Sequence, residues 1–294
     1  MDRALPDTVM EWANGGRLVD TAPGRVFVHR SDGSAPYLVF LHGYPTCGYD
    51  FRQVIDRLPH RATLAPDFLG FGLSDKPRPH RYGILEHADV VEEVLAAHGS
   101  DEADIVAHDM GTSVATELMA RELAGTLSFR LRRVVLSNGG VIIERASLRL
   151  IQRALLSPLG PLVSRLSNRR MFAQQLGRLF SAHHPLDRRE AAAQWALVSN
   201  AGGHRIAHLL CRYVRERSYY ARRWHGAIGS WEGTLGFLWG LRDPVATGHV
   251  LNGLRELRPS APVVELAELG HYPQLEDPEA FTEAMLRLLD DRSS

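Results

Sequence analysis

In this 294-residue chain, strand-like and helix-like segments alternate, stop alternating, and then resume. Arg25–His29 alternates apolar and polar residues. Pro36–Leu41 is a continuous apolar run, and Ala62–Pro66 is another, followed by a Gly-rich loop through Gly70 and Gly72. Residues 84–98 place apolar side chains at helical spacing, and Gly99 follows as a stop. A strand at Ile105–Ala107, a helix over 111–124 and a strand at Leu131–Leu136 continue the series. Such alternation predicts a parallel sheet flanked by helices. From 141 to 228 only helical patterns appear, broken at Pro158–Pro161 and at His184–Pro185. Strands at Leu235–Trp239 and Val263–Leu266 and a closing helix over 278–290 follow. The expectation is an α/β core in two segments, 1–140 and 229–294, interrupted by an all-helical lid domain, 141–228.

Composition removes other classes. Hydrophobic residues are 45% and charged residues 23%, which excludes a disordered, collagen-like or coiled-coil chain. Net charge is zero, so nucleic acid is not an expected partner. Cys47 and Cys211 are too few and too far apart for a disulfide scaffold, and they form no zinc pattern. The N-terminal stretch lacks a basic-then-apolar signal, and no apolar run approaches the ~20 residues that span a bilayer. The cytosol is the expected location.

The net charge is a sum over unlike parts. Residues 141–228 hold 15 Arg, no Lys and four acids, a balance of +11, and the remainder carries −11. One reading is a lid of solvated Arg faces docked on an acidic core. The sharper one is peripheral contact with an anionic membrane or an acidic amphiphile.

The segment Ile105-Val106-Ala107-His108-Asp109-Met110-Gly111 carries the chemistry. An apolar strand runs into a helix through a sharp turn, with small residues two before and two after Asp109. That pattern lifts one side chain above the carboxyl edge of a sheet, at the positive end of a new helix. The nucleophile there is a carboxylate. An Asp at a helix start also serves as an N-cap, so partners must decide. Ser113, in the nearby Gly111-Thr112-Ser113-Val114-Ala115, falls a turn into the helix and is a poor nucleophile candidate.

A carboxylate nucleophile forms an ester, and a histidine oriented by a second carboxylate must activate water to break it. Asp243, in Leu241-Arg242-Asp243-Pro244, follows one late strand. His271, in Leu269-Gly270-His271-Tyr272-Pro273, follows the next. Asp-Pro is also an ordinary turn pair, and a loop His is often merely solvated. The combination with the elbow is what carries weight. His42-Gly43-Tyr44-Pro45, just past an early strand, can aim a backbone N–H at a developing oxyanion. The expected donors are the N–H groups of Tyr44 and Met110.

With these residues in place, the chain resembles the α/β-hydrolase superfamily in its aspartate-nucleophile branch, which holds epoxide hydrolases and haloalkane dehalogenases. His42–Pro45, Asp67–Pro77, the elbow, Asp243 and His271 carry the likeness. GFGLSDKPRPHRY, LSNGG, ARRW and HYPQLEDP make it similar to the mesoderm-specific-transcript (MEST)-like hydrolases. The resemblance implies a mostly parallel eight-stranded sheet, a helical lid over the site, a small apolar or amphiphilic substrate, and no metal or organic cofactor. It implies hydrolysis of an epoxide through an alkyl-enzyme ester. Alternatives are haloalkane dehalogenation on the same triad and a non-catalytic binding protein. Haloalkane dehalogenases usually carry Trp after the nucleophile and often Asn in the oxyanion loop, where this chain has Met110 and Tyr44. Fluoroacetate dehalogenases carry Arg after the nucleophile. Epoxide hydrolases use lid tyrosines to protonate the leaving oxygen. The lid tyrosines here are Tyr213, Tyr219 and Tyr220, and Tyr213 is the candidate for activating the leaving group.

Overall fold

A computed structural model describes residues 5–290. The first four residues of the N-terminal stretch read for targeting lie outside it. The chain opens with α1 (Asp7–Asn14), β1 (Gly16–Thr21), β2 (Gly24–Ser31), β3 (Ser34–Leu41), α2 (Arg52–Ile55), β4 (Arg61–Pro66), α3 (Ile84–Ala97), β5 (Glu102–His108), α4 (Met110–Leu123) and β6 (Arg130–Ser137). Helices follow: α5 (Leu150–Leu156), α6 (Gly160–Leu166), α7 (Arg169–Gly177), α8 (Arg188–Ser199), α9 (Ala207–Leu210), α10 (Tyr213–Tyr219) and α11 (Ala221–Ser230). The close is β7 (Thr234–Gly240), α12 (Gly248–Leu257), β8 (Val263–Leu266), α13 (Pro273–Glu276) and α14 (Pro278–Asp290).

The eight strands form one sheet in the order β1-β2-β4-β3-β5-β6-β7-β8. The pairings β1–β2 and β2–β4 are antiparallel, and all others are parallel. The central strands are buried along almost their whole length, as parallel strands covered on both faces must be. That burial explains the unbroken apolar runs at 105–107 and 235–239. Helix α3 buries Ile84, Ala88, Val91 and Leu95, the i, i+4, i+7 stripe that faces a sheet. Gly99, at φ +65, ends it.

Every strand read from the sequence is present. Helix α1, strand β1 and helix α12 carry weaker signals and were not anticipated. In β1 only Val19 is buried, so an edge strand of this kind lacks the apolar run that marks a central one.

The stretch between β6 and β7 is helical, but its end belongs to the sheet layer. Trp224 on α11 is fully buried and donates through Nε1 to Glu117 Oε2 on α4 at 2.9 Å. Arg223 Nε reaches the same oxygen at 2.8 Å. The helical layer that covers the sheet therefore resumes at Ala221, inside the stretch assigned to the lid, and α11 runs on to Ser230. Helical periodicity alone does not distinguish a lid helix from a layer helix.

Among the described residues no helix is long and apolar enough to cross a membrane. The single lysine has a structural use. Lys76 Nζ donates to the carbonyls of Gly72 at 2.8 Å and Ser74 at 2.9 Å. A compact ammonium suits converging carbonyls better than a planar guanidinium. Burial lowers its pKa to about 8.

Candidate active site

The strand order places the site. The chain leaves β3 toward β4 on one side and β5 lies on the other, so a crevice opens at the carboxyl ends of β3 and β5. Open α/β sheets bind ligands at such switch points. His42–Pro45 follows β3 and Asp109 follows β5, so the two motifs meet there.

Asp109 sits between β5 and α4 at φ 43, ψ −108. A non-glycine residue in this region costs about 1–3 kcal/mol, which the surroundings must hold. Its side chain caps none of the first-turn N–H groups of α4. Instead Oδ2 accepts the backbone N–H of Tyr44 at 3.0 Å. This geometry answers the N-cap alternative: the carboxylate faces the β3 loop. Gly43 is what allows the approach, since a Cβ there would lie 2.7 Å from Asp109 Cβ. Gly111 similarly lets the helix start pass β3, where a Cβ would lie 2.2 Å from the Leu41 carbonyl oxygen. Met110 opens α4, so its N–H has no intrahelical acceptor.

His42 is a strut of the loop. Its Nε2 accepts from Phe68 N at 2.9 Å, so Nδ1 carries the proton and donates to the Gly43 carbonyl at 2.8 Å. Burial drives its pKa down to about 3, which keeps the ring neutral. Pro45 and Tyr44 line a cavity of about 140 Å³. Asp109 and His271 line the same cavity.

His271 Nδ1 donates to Asp243 Oδ2 at 2.7 Å, so Nε2 is the nitrogen left for chemistry. Burial on its own lowers the imidazole pKa. The Asp243 charge and hydrogen bond outweigh it and carry the pKa above 6.5. Burial pushes Asp243 up, but His271, Asn138 and the Val245 N–H bring it below its ordinary value. The second oxygen of Asp243 accepts the N–H groups of Val245 at 2.6 Å and Ala246 at 3.0 Å. The Asp-Pro pair is thus a turn and also an anchored carboxylate.

Three site residues were not identified from sequence. Asn138, at φ 43 after β6, donates to Asp243 Oδ2 at 2.8 Å and accepts Gly240 N at 2.9 Å. Its signal was the Asn-Gly-Gly at a strand end. His108 donates through Nε2 to the His271 carbonyl at 2.7 Å. Burial lowers its pKa to about 4. Arg217, on α10, is buried beside the elbow. Its Nε donates to Ser113 Oγ at 2.8 Å, and its Nη2 donates to the Asp109 carbonyl at 2.6 Å and lies 3.4 Å from Oδ1. Ser113 is therefore an anchor for Arg217. Nothing in the Arg-rich composition singled out position 217.

Tyr213 differs from its expected place. It is buried, its hydroxyl lies 3.4 Å from Gln152 Nε2, and it is absent from the cavity lining. The Arg217 guanidinium stacks on its ring at 4.7 Å. Its spacing on α10, four residues before Arg217, turns it toward that cation. The neighbouring Tyr44, its ring 5.7 Å away, lines the cavity, and its hydroxyl donates to the Ala207 carbonyl at 3.4 Å.

Comparison with known proteins agrees with this architecture. The family model of the alpha/beta hydrolase fold matches residues 36–278. The putative hydrolase LipZ of Mycobacterium tuberculosis is 58% identical over 284 residues, covering 97% of this chain and 99% of that protein. The mesoderm-specific transcript homolog protein of Homo sapiens is 34% identical over 300 residues, covering 97% and 89%. Among solved structures, haloalkane dehalogenase DbeA of Bradyrhizobium elkani superposes with a TM-score of 0.77 at 21% identity, covering 92% of this chain and 95% of that one. Epoxide hydrolase CorEH superposes with a TM-score of 0.74 at 19% identity, covering 93% and 98%. By its strand order, its elbow and its match over both core segments, the chain belongs to the α/β-hydrolase fold family, together with LipZ and the MEST proteins.

Proposed function

We propose that this protein is a hydrolase that works through a covalent alkyl-enzyme ester on Asp109, with an epoxide as the substrate class. The observation that carries the reading is the hydrogen bond from Tyr44 N to Asp109 Oδ2. It divides the carboxylate into an oxygen held by a backbone donor and an oxygen, Oδ1, that faces the Arg217 guanidinium at 3.4 Å and makes the attack in this scheme.

Oδ1 attacks a ring carbon, the C–O bond of the epoxide breaks, and the alkoxide takes a proton. A tyrosine hydroxyl is the donor in this scheme. Burial raises both Tyr44 and Tyr213 well above the usual phenol value, so either is protonated. Tyr44 lines the cavity and Tyr213 does not, so the role passes to Tyr44. In the second half, His271 Nε2 removes a proton from water, and hydroxide adds to the Asp109 carbonyl carbon. The negative charge forms on Oδ2, where the Tyr44 N–H already points and the Met110 N–H joins it. Collapse breaks the bond between that carbon and Oδ1. The diol leaves with Oδ1 and the proton from His271, the oxygen of water remains in Asp109, and the proton still on that oxygen returns to the Tyr44 phenolate. The helices of 141–219 act as a lid that excludes other water.

Carbon–halogen cleavage on the same three residues is the second reading, supported by the superposition on a dehalogenase. Met110 and the Tyr44 backbone provide no side-chain N–H for a halide, which favours the epoxide. An isotope experiment tests the mechanism. One turnover in ¹⁸O-water should label Asp109 and leave the diol unlabelled, and intact-mass spectra of His271→Gln should accumulate the ester. Label in the first-turnover diol sinks the covalent reading. Halide release from bromoalkanes without epoxide turnover would replace the epoxide.

A further inference from the structure

The insertion carries an apolar surface that the proposed reaction does not use. Leu150 is 82% exposed, Leu159 64%, Leu162 53%, Leu166 62% and Met171 42%. All five lie on α5–α7 or at their ends. Leu159, Leu162 and Leu166 follow i, i+3, i+7 spacing, which puts them on one face of α6. Exposed leucines scattered singly are ordinary, but a cluster on consecutive helices marks a contact surface.

The charge around this surface is of one sign. Arg153, Arg165, Arg169 and Arg170 are exposed on the same helices. Among the described residues none of the four pairs with a carboxylate. Among the described residues the paired arginines of this part of the chain are Arg145, Arg217 and Arg223 instead. The insertion is net positive and the rest of the chain is net negative, so an anionic plane attracts this side and repels the other.

The surface also adjoins the cavity. Met171 lines the cavity that holds Asp109 and His271 while remaining 42% exposed. Ile151, Leu155 and Val163, from the same helices, continue the cavity wall inward. The exposed apolar surface and the cavity thus share Met171 and the helices that carry it.

We propose that the α5–α7 surface docks on an anionic lipid bilayer. The leucines enter the acyl boundary and the arginines meet headgroup phosphates, as for interfacial amphipathic helices. The substrate then enters from the lipid phase as an apolar or amphiphilic molecule. That second part rests on the reaction proposed above, whereas the docking does not.

Co-sedimentation of the full chain with phosphatidylcholine vesicles, with and without phosphatidylglycerol, tests the docking. Binding should require phosphatidylglycerol and weaken with salt. The triple variant Arg165→Gln/Arg169→Gln/Arg170→Gln should bind roughly a hundredfold more weakly. Leu159→Ser/Leu162→Ser/Leu166→Ser should lose binding as well. All these side chains are exposed, so circular dichroism should be unchanged in both variants. A vesicle-embedded long-chain epoxide should be turned over more slowly by both variants, and a short soluble epoxide equally well. No binding to phosphatidylglycerol vesicles, or binding unchanged in both variants, overturns the proposal. So does a dimer that the leucine variant dissociates, in a chain that ignores vesicles. Vesicle binding reads no turnover, so binding without epoxide hydrolysis would sink the reaction and leave the docking standing.

Discussion

Arg217 holds the elbow from the opposite side to Tyr44. Its Nη2 donates to the Asp109 carbonyl at 2.6 Å and lies 3.4 Å from Oδ1, while the Tyr44 N–H takes Oδ2. A buried carboxylate is thus set between a backbone donor and a buried cation. The cation is braced by Ser113 and stacked on Tyr213, so the position of α10 and the orientation of Asp109 are coupled.

Removing that cation should be costly. Arg217→Ala leaves Asp109 buried beside no charge partner, and breaking a buried pair costs about 3–5 kcal/mol. Urea unfolding should show that loss. Arg217→Lys should recover little of it, because one ammonium cannot serve Ser113 and Asp109 in the fork geometry. Full stability in the Lys variant would refute the bidentate role.

The His271–Asp243 pair sets the pH dependence. The base must be neutral, and Asp243 holds the His271 pKa above 6.5 against the effect of burial. Activity should therefore rise with pH through a value above 6.5. Asp243→Asn should move that limb to lower pH and cut kcat by roughly 10⁴-fold, as for an orienting carboxylate elsewhere. Asn138→Ala removes one donor from Asp243 and should cost about 10–100-fold, the worth of a hydrogen bond to a charged group. A pH profile unmoved by Asp243→Asn would exclude the pairing as its origin.

The two tyrosines separate by position. Tyr44→Phe should slow ester formation, seen as a smaller pre-steady-state burst, because Tyr44 lines the cavity and is the proposed donor, its hydroxyl turning from the Ala207 carbonyl to the alkoxide. Tyr213→Phe should leave the burst within a few-fold of wild type, since the ring that carries Arg217 is kept. A burst lost in Tyr213→Phe and kept in Tyr44→Phe reverses the assignment.

Asp50 links core to insertion and makes stability depend on pH. It is buried and accepts Gln194 Nε2 from α8 at 2.7 Å. Burial raises its pKa to about 7 from 3.8. The folded chain therefore binds this proton more tightly than the unfolded one, so the contribution falls as pH rises from about 4 to about 7 and is flat above. Asp50→Asn removes the slope. The melting temperature of the variant relative to wild type should be higher at pH 8 than at pH 5. Equal differences at the two values would show that Asp50 is ionised throughout.

Much of the fold was legible because its signals are local. Pro36–Leu41 and Ile105–Ala107 read as buried strands since parallel strands need apolar residues on both faces. The residues two before and two after Asp109 had to be small because strand and helix nearly touch. His271 and Asp243 were found because the ends of successive late strands are short, recognisable loops. Strand β1 and helix α12 escaped because an edge strand and a surface helix bury only part of one face.

The sequence by itself determined the elbow, the order of the carboxylate, acid and histidine, and the helical block. Each is written in contiguous residues whose spacing matches a backbone period. The tertiary structure alone decided which of 15 arginines in that block reaches Asp109, that Asn138 and not only His271 holds Asp243, and that Tyr44 rather than Tyr213 faces the cavity. It also showed that α11 belongs to the sheet layer. These are contacts between residues far apart in the chain, such as Arg217 with Asp109 and Trp224 with Glu117. No local period encodes them, because they depend on how the insertion settles on the core.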